Sequence, residues 1–325
     1  MRTIPSLTAI AAAWVSMMAA GWLPSHAVSL AGEEPKGPAE LSKELAIFLG
    51  CGEVVGQGTV VQLDRTGKVL GTVELPGPPY GLAVHKDALV AAVRPYSAPG
   101  RVIRIDGKGN VETLLQDKET APAPIAIAVD PVSGDILVAD NDADVLLLLP
   151  AGQAKNARKV IQIRGHEQHL QDMSVAFAQD GYLLFGGSGP VGLYRFRAQK
   201  DTTLGESLIP AAGVEWFSGR VAADPLSRRW AATLRSELRI YQGTRELLKL
   251  PYPGGRNTWP AAVAFGPDGT LVVALSDFSP KHTRDDVALA DLKLKTFHPL
   301  FSWNKSRIVS MAVGPKTTWK ATTPN

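Results

Sequence analysis

The same short strand recurs six times in this 325-residue chain, each time with alanine at one position. The copies are Gly81-Leu82-Ala83-Val84, Ala126-Ile127-Ala128-Val129, Ser174-Val175-Ala176-Phe177, Arg220-Val221-Ala222-Ala223, Ala262-Val263-Ala264-Phe265 and Ser310-Met311-Ala312-Val313. The six alanines lie 45, 48, 46, 42 and 48 residues apart. A unit of that length cannot bury its apolar face alone and must stack on its neighbours, as in a propeller or a solenoid.

One unit shows what each repeat holds. Pro124 to Val129 is an apolar strand, and Asp130 to Asp135 is a turn whose Pro131 and Gly134 set the backbone angles. Ile136 to Ala139, Val145 to Leu149 and Lys159 to Ile163 supply three more strands. Four short antiparallel strands per repeat make a propeller blade. The sixth copy, Ile308 to Val313, has too few residues after it to finish a blade. The start of the chain has the converse defect, with Leu45 to Leu49, Gly58 to Leu63 and Lys68 to Leu75 but no innermost strand. The expected fold is therefore an all-β, six-bladed β-propeller over residues 41–316, its ring closed by the C-terminal strand completing the N-terminal blade. Closure leaves no exposed sheet edge at the seam. Residues 28–40 are expected as a flexible linker and 317–325 as a C-terminal tail. Leu41, Leu45 and Phe48 would line one face of a short helix, and the stretch Glu44 to Leu49 equally fits a strand.

The alanines are expected to face the propeller axis, where space is least. Their companions Leu82, Ile127, Val175, Val221, Val263 and Met311 are then expected to point the other way, between blades, by the period-two alternation of a strand.

Arg2 followed by the apolar run Ile10 to Leu23 and by Ser25-His26-Ala27 predicts a secretory signal peptide over residues 1–27. The run is short for a membrane span and is broken by Gly21, so no stable span is expected after its removal. Periplasmic or secreted localisation follows. Cys51 is the only cysteine, which excludes an internal disulfide and predicts a small buried hydrophobe. A net charge of +3 with no long basic run excludes nucleic acid as a partner.

The stretch from Ala126 through Asp140, Ala-Ile-Ala-Val-Asp-Pro continuing to Gly-Asp-Ile-Leu-Val-Ala-Asp, resembles an NHL repeat, and Ala262 to Ala274 is similar. The resemblance extends from Pro79 to about Val313. It implies a six-bladed propeller whose relatives include protein-binding modules and metal-dependent lyases. The gluconolactonase-like and strictosidine-synthase-like families are more distant. A gluconolactonase-like site implies a divalent metal on the axis, with Glu53 as the early glutamate. That family's mid-chain Asn-Asp-Gly-Lys segment is absent, and Pro267-Asp268-Gly269 follows an inner strand instead of preceding one.

Arg220 is the outlier among the repeats. Two residues before each repeated alanine stand Gly81, Ala126, Ser174, Arg220, Ala262 and Ser310, five small residues and one long cation. Facing the channel, Arg220 would hold a carboxylate or phosphate through paired hydrogen bonds. Paired to a neighbouring blade, it would be structural. The loops leading into the inner strands bring Tyr80, Asp172, Asn257, Trp259 and Arg307 to one mouth of the channel as candidate ligand-binding residues. His169 and Glu53, with Asp172 near His169, are the candidate ligands for one divalent cation, calcium or zinc. Asp140-Asn141-Asp142-Ala143-Asp144 resembles the start of a calcium loop, but Val145 and Ala151 stand where glycine and a bidentate glutamate are needed, so it reads as a polar hairpin. Two functions follow. One is a ligand- or protein-binding module or scaffold that takes a small anionic ligand or a protein partner at its channel mouth. The other is a metal-dependent hydrolase or lyase, lactonase-like, with its ion on the axis.

Overall fold

The computed structural model describes residues 40–52, 56–116, 118, 123–143, 145–151, 158–162, 173–179, 182–187, 192–196, 217–253, 258–277 and 284–319. The chain divides into residues 1–37 and 38–325, and all described residues belong to the second unit.

That unit is an all-β propeller. Strands β1 (Leu45–Gly52), β2 (Gly58–Leu63) and β3 (Val69–Leu75) are followed by β4 (Pro79–His85), β5 (Ala88–Val93), β6 (Arg101–Ile105) and β7 (Val111–Leu115). Next come β8 (Pro124–Val129), β9 (Ile136–Asp140), β10 (Val145–Leu149) and β11 (Arg158–Gln162), then β12 (Ser174–Phe177), β13 (Leu183–Gly187) and β14 (Gly192–Phe196). The chain continues through β15 (Phe217–Ala223), β16 (Arg229–Leu234), β17 (Glu237–Gln242) and β18 (Arg245–Pro251). It ends with β19 (Thr258–Phe265), β20 (Leu271–Asp277), β21 (Asp285–Asp291), β22 (Thr296–Trp303) and β23 (Ile308–Pro315).

Five sheets have four strands each, and the sheet β12-β13-β14 has three. The expected six complete blades are thus five among the described residues. The stretch 197–216, where a fourth strand of the remaining sheet would fall, lies outside them. The inner strands β4, β8, β12, β15, β19 and β23 neighbour one another in that order, and β23 returns to β4. The seam is as the sequence implied. β23 pairs antiparallel with β1, from Leu45↔Pro315 to Leu49↔Met311, in the sheet β23-β1-β2-β3. Of the two readings of Glu44 to Leu49, the strand is the one adopted.

The alanines correct one expectation. They do not line the channel. Each sits in a cleft between blades, against the bulky companion of the next inner strand. Ala312 packs with Leu82, Ala83 with Ile127, Ala128 with Val175, Ala176 with Val221, Ala222 with Val263 and Ala264 with Met311. In a blade both faces of a strand look at another blade, so both sets of alternating positions are interior. Near the axis the blades approach closely, and a small residue opposite a branched one fills that gap without overpacking. The channel is lined instead by the start of each inner strand, including Gly81, Ala126, Ser174, Arg220, Ala262 and Ser310. At Gly81 a Cβ would fall 2.8 Å from the Ile127 nitrogen, so β4 can approach β8 this closely only as glycine.

Residues 317–319, which the sequence places in a tail, are seated on the propeller. The Thr317 hydroxyl donates to Gln62 Oε1 at 2.9 Å. The Thr318 N–H donates to the Gly107 carbonyl at 2.9 Å. The Trp319 indole N–H donates to the Asp106 carbonyl at 2.9 Å. The Trp319 ring is 5% exposed and stands edge-on to Phe48 at 5.3 Å. The strap thus ties the seam sheet to the β6–β7 turn. That turn is itself shaped by Asp106, whose carboxylate accepts the N–H groups of Lys108 and Asn110.

Candidate functional site

Five of the six inner strands carry a bulge near the start, whereas β12 pairs from Ser174↔Gly186 without a register shift. One extra residue is inserted at Tyr80 on β4, at Ile125 on β8, at Ala261 on β19 and at Val309 on β23. On β15 the bulge is wider. Phe217 pairs with Leu234 and Val221 with Ala232, so residues 218–220 face Thr233 alone. A bulge re-aims the side chain that it carries. The Thr233 hydroxyl fills the gap in the ladder, accepting from the Arg220 N–H at 3.2 Å and donating to the Arg220 carbonyl at 3.3 Å.

From this bulge the partly buried Arg220 side chain crosses the axis. Nη1 donates to the Met173 carbonyl beside β12 at 3.3 Å. Nη2 donates to the Val309 carbonyl on β23 at 3.5 Å. One guanidinium therefore touches the preceding blade at Met173 and, beyond the neighbouring β19, the inner strand β23 at Val309. Ser174 and Ser310, at the equivalent positions, turn instead to the following blade. The Ser174 hydroxyl accepts from the Val221 N–H at 3.1 Å, and the Ser310 hydroxyl donates to the Pro79 carbonyl.

Beside Arg220 lies a half-enclosed cavity of ≈60 Å³. Its walls include Tyr80, Leu82, Ile127, Met173, Val175 and Val263, and among the described residues Arg220 is the charged one lining it. Of the sequence candidates, Arg220 and Tyr80 meet at this cavity. Trp259 on β19 is half-buried, and Arg307 is exposed with its carbonyl accepting the Gly52 N–H at 3.2 Å. Neither lines the cavity. Asp172, Asn257, His169 and Glu53 lie outside the described residues. Among the described residues no group of three or more His, Cys, Asp or Glu side chains is placed to hold a metal ion.

Cys51 is buried at 2% exposure, and burial pushes its thiol up to about 12, so it is an unreactive core residue. The polar hairpin reading of the Asp140 loop matches the structure, in which β9 ends at Asp140 and β10 starts at Val145. The buried Asp140 carboxylate accepts the N–H groups of Ala123, Asp142 and Ala143. Burial raises its pKa, against the pull of those hydrogen bonds.

Sequence reasoning missed Thr233 and the two carbonyls that hold Arg220. A signal existed for Thr233. The residues paired with the five small counterparts of Arg220 are Ala92, Ala139, Gly186, Ala274 and Gly50, all without a polar side chain. Asp285 was missed as well. It is buried, and it accepts the Ser276 hydroxyl and the Ile308 N–H, fixing the start of β23.

No protein-family model matches the sequence, and no curated protein is similar to it at a significant level. Solved structures are similar in fold. A chain of a nidogen/laminin complex superposes with a TM-score of 0.62 at 12% identity, over 85% of this chain and 100% of that one. A protein from Lactobacillus plantarum gives 0.55 at 14%, over 84% and 99%. A Bacteroides fragilis protein provisionally named a 6-phosphogluconolactonase gives 0.51 at 14%, over 85% and 99%. At such identities the likeness defines a β-propeller and nothing narrower.

Proposed function

We propose that this chain is an exported, six-bladed propeller of NHL type that works as a binding module, taking a small anionic ligand at the channel mouth. The observation that carries this reading is Arg220, whose guanidinium stands across the axis where a lactonase-like metal would sit. Its positive charge favours an anion. The ring of six neighbouring inner strands supports six blades. The NHL type rests on the Ala126–Asp140 pattern, and export rests on the Arg2–Ala27 pattern.

The test is the metal content of purified residues 28–325 after dialysis without chelator, together with melting curves in added calcium and zinc. No bound metal and no shift is the expected result. Close to one equivalent of bound metal would overturn the reading in favour of a hydrolase or lyase.

A further inference from the structure

The channel neck lies at the starts of the inner strands. β5 is antiparallel to both β4 and β6, so β6 runs in the direction of β4 and the β6–β7 turn lies at the other end of its blade. At that end we propose a second site, independent of the neck. The slot under the strap is a peptide-binding site, filled here by the chain's own Thr317-Thr318-Trp319. It takes an extended segment of a protein partner that carries asparagine and tryptophan at the places of Thr317 and Trp319. Three observations carry it. The first is shape. A Cβ on Gly71 would fall 2.6 Å from the Trp319 Cβ, so the slot has its depth only because that wall is glycine. Phe48 closes another side, edge-on at 5.3 Å, and the indole is 5% exposed.

The second is how the strap is held. The Thr318 N–H and hydroxyl both donate to the Gly107 carbonyl at 2.9 Å, and the indole N–H donates to the Asp106 carbonyl at 2.9 Å. These acceptors stand on a turn braced from within, because Asp106 accepts the N–H groups of Lys108 and Asn110 and its own N–H donates to the Asn110 carbonyl. Any segment with a main-chain N–H and an indole at these places makes the same bonds. β23 ends at Pro315, so lifting residues 317–319 breaks no ladder bond. The third is an unmet donor. Gln62 is fully buried, its Oε1 accepts from the Thr317 hydroxyl, and its Nε2 has no hydrogen-bond partner among the described residues. A buried donor left unpaired is costly. A hydroxyl meets one of the two amide atoms. An asparagine in its place meets both, its Nδ2 donating to Gln62 Oε1 and its Oδ1 accepting from Gln62 Nε2. The strap is therefore a second-best occupant, kept in place by its tether at an effective concentration on the order of millimolar.

The experiment follows the fluorescence anisotropy of labelled peptides Lys-Thr-Thr-Trp-Lys and Lys-Asn-Thr-Trp-Lys titrated with residues 28–325 carrying Trp319→Ala, which frees the slot. Both are expected to bind saturably, the asparagine peptide about tenfold tighter. The intact chain should bind each about tenfold more weakly, because its own strap competes. Gly71→Ala added to the Trp319→Ala chain should abolish binding. Trp319→Phe, which keeps most of the buried surface but loses the indole N–H, serves if the alanine variant fails to fold, and should rank the peptides in the same order. No saturable binding to either variant, equal affinity for the two peptides, or binding that survives Gly71→Ala would overturn the inference. Sedimentation of the intact chain supplies a further check. Dimerisation with rising concentration that Trp319→Ala abolishes would also overturn it, giving the slot to the strap of a second copy.

Discussion

Replacing Trp319 by alanine tests whether the strap after β23 holds the seam. The ring is nearly fully buried, its indole N–H donates to the Asp106 carbonyl, and its edge meets Phe48. Buried Trp or Phe to Ala typically costs about 3–5 kcal/mol, a range that includes the cavity left behind. An aromatic pair contributes about 0.5–1.5 kcal/mol of that. For a domain of this size each kcal/mol moves the melting temperature by about 2–4 °C, so a fall of roughly 10 °C is expected. Thermal unfolding followed by far-UV circular dichroism measures the fall, and chemical denaturation measures the free-energy loss. Gly71 supplies an internal control. A Cβ there would lie 2.6 Å from the Trp319 Cβ, so Gly71→Ala should destabilise the native chain and do so much less in Trp319→Ala. A loss below about 1 kcal/mol for Trp319→Ala, or an equal cost of Gly71→Ala in both backgrounds, would refute the clasp.

Thr233→Val removes the hydroxyl that bridges the N–H and carbonyl of Arg220 and should cost about 1–3 kcal/mol, read by urea denaturation; a loss under about 0.5 kcal/mol rejects the role given to that bulge. Cys51, with its pKa pushed up to about 12, should resist alkylation at pH 8 in the native protein and react at once in denaturant; native labelling at the rate of a free thiol contradicts the burial. Hydrogen bonds from the Asn110 side chain and backbone hold Asp106 below the ordinary carboxylate range. Its folded pKa is below the unfolded one, so its contribution is present above about 3.9 and is lost as pH falls through the lower folded value. Asn110→Ala should move the Asp106 midpoint, followed by NMR, up toward about 3.9, and an unmoved midpoint counts against those bonds.

The alanine period and the incomplete units at the two ends made the propeller and its seam legible, because both follow from composition along the strand. The direction in which the alanines face was not legible. Alternation separates two faces of Ala126-Ile127-Ala128-Val129, but it does not say that both faces meet other blades. Arg220 stood out as an exception in a column of small residues, and that signal led to the neck. What it touches was hidden, because the wide bulge at 218–220 depends on the register against β16, which a single strand does not encode. Trp319 was hidden for a related reason. Past Lys316 the repeat stops, and the ring's burial is decided by Phe48 and Gly71, some 250 positions earlier.

The pairing of Leu45 with Pro315 also sets a timetable. These partners are 270 positions apart, and at about 5–20 residues per second a ribosome takes roughly 15–50 s to travel between them. For all of that interval β1, apolar along its length, has a bare edge and no inner neighbour. Any other extended apolar strand is a competitor for it, including the β1 of a second nascent chain. Until its last strand is made, such a chain stays open to that mispairing.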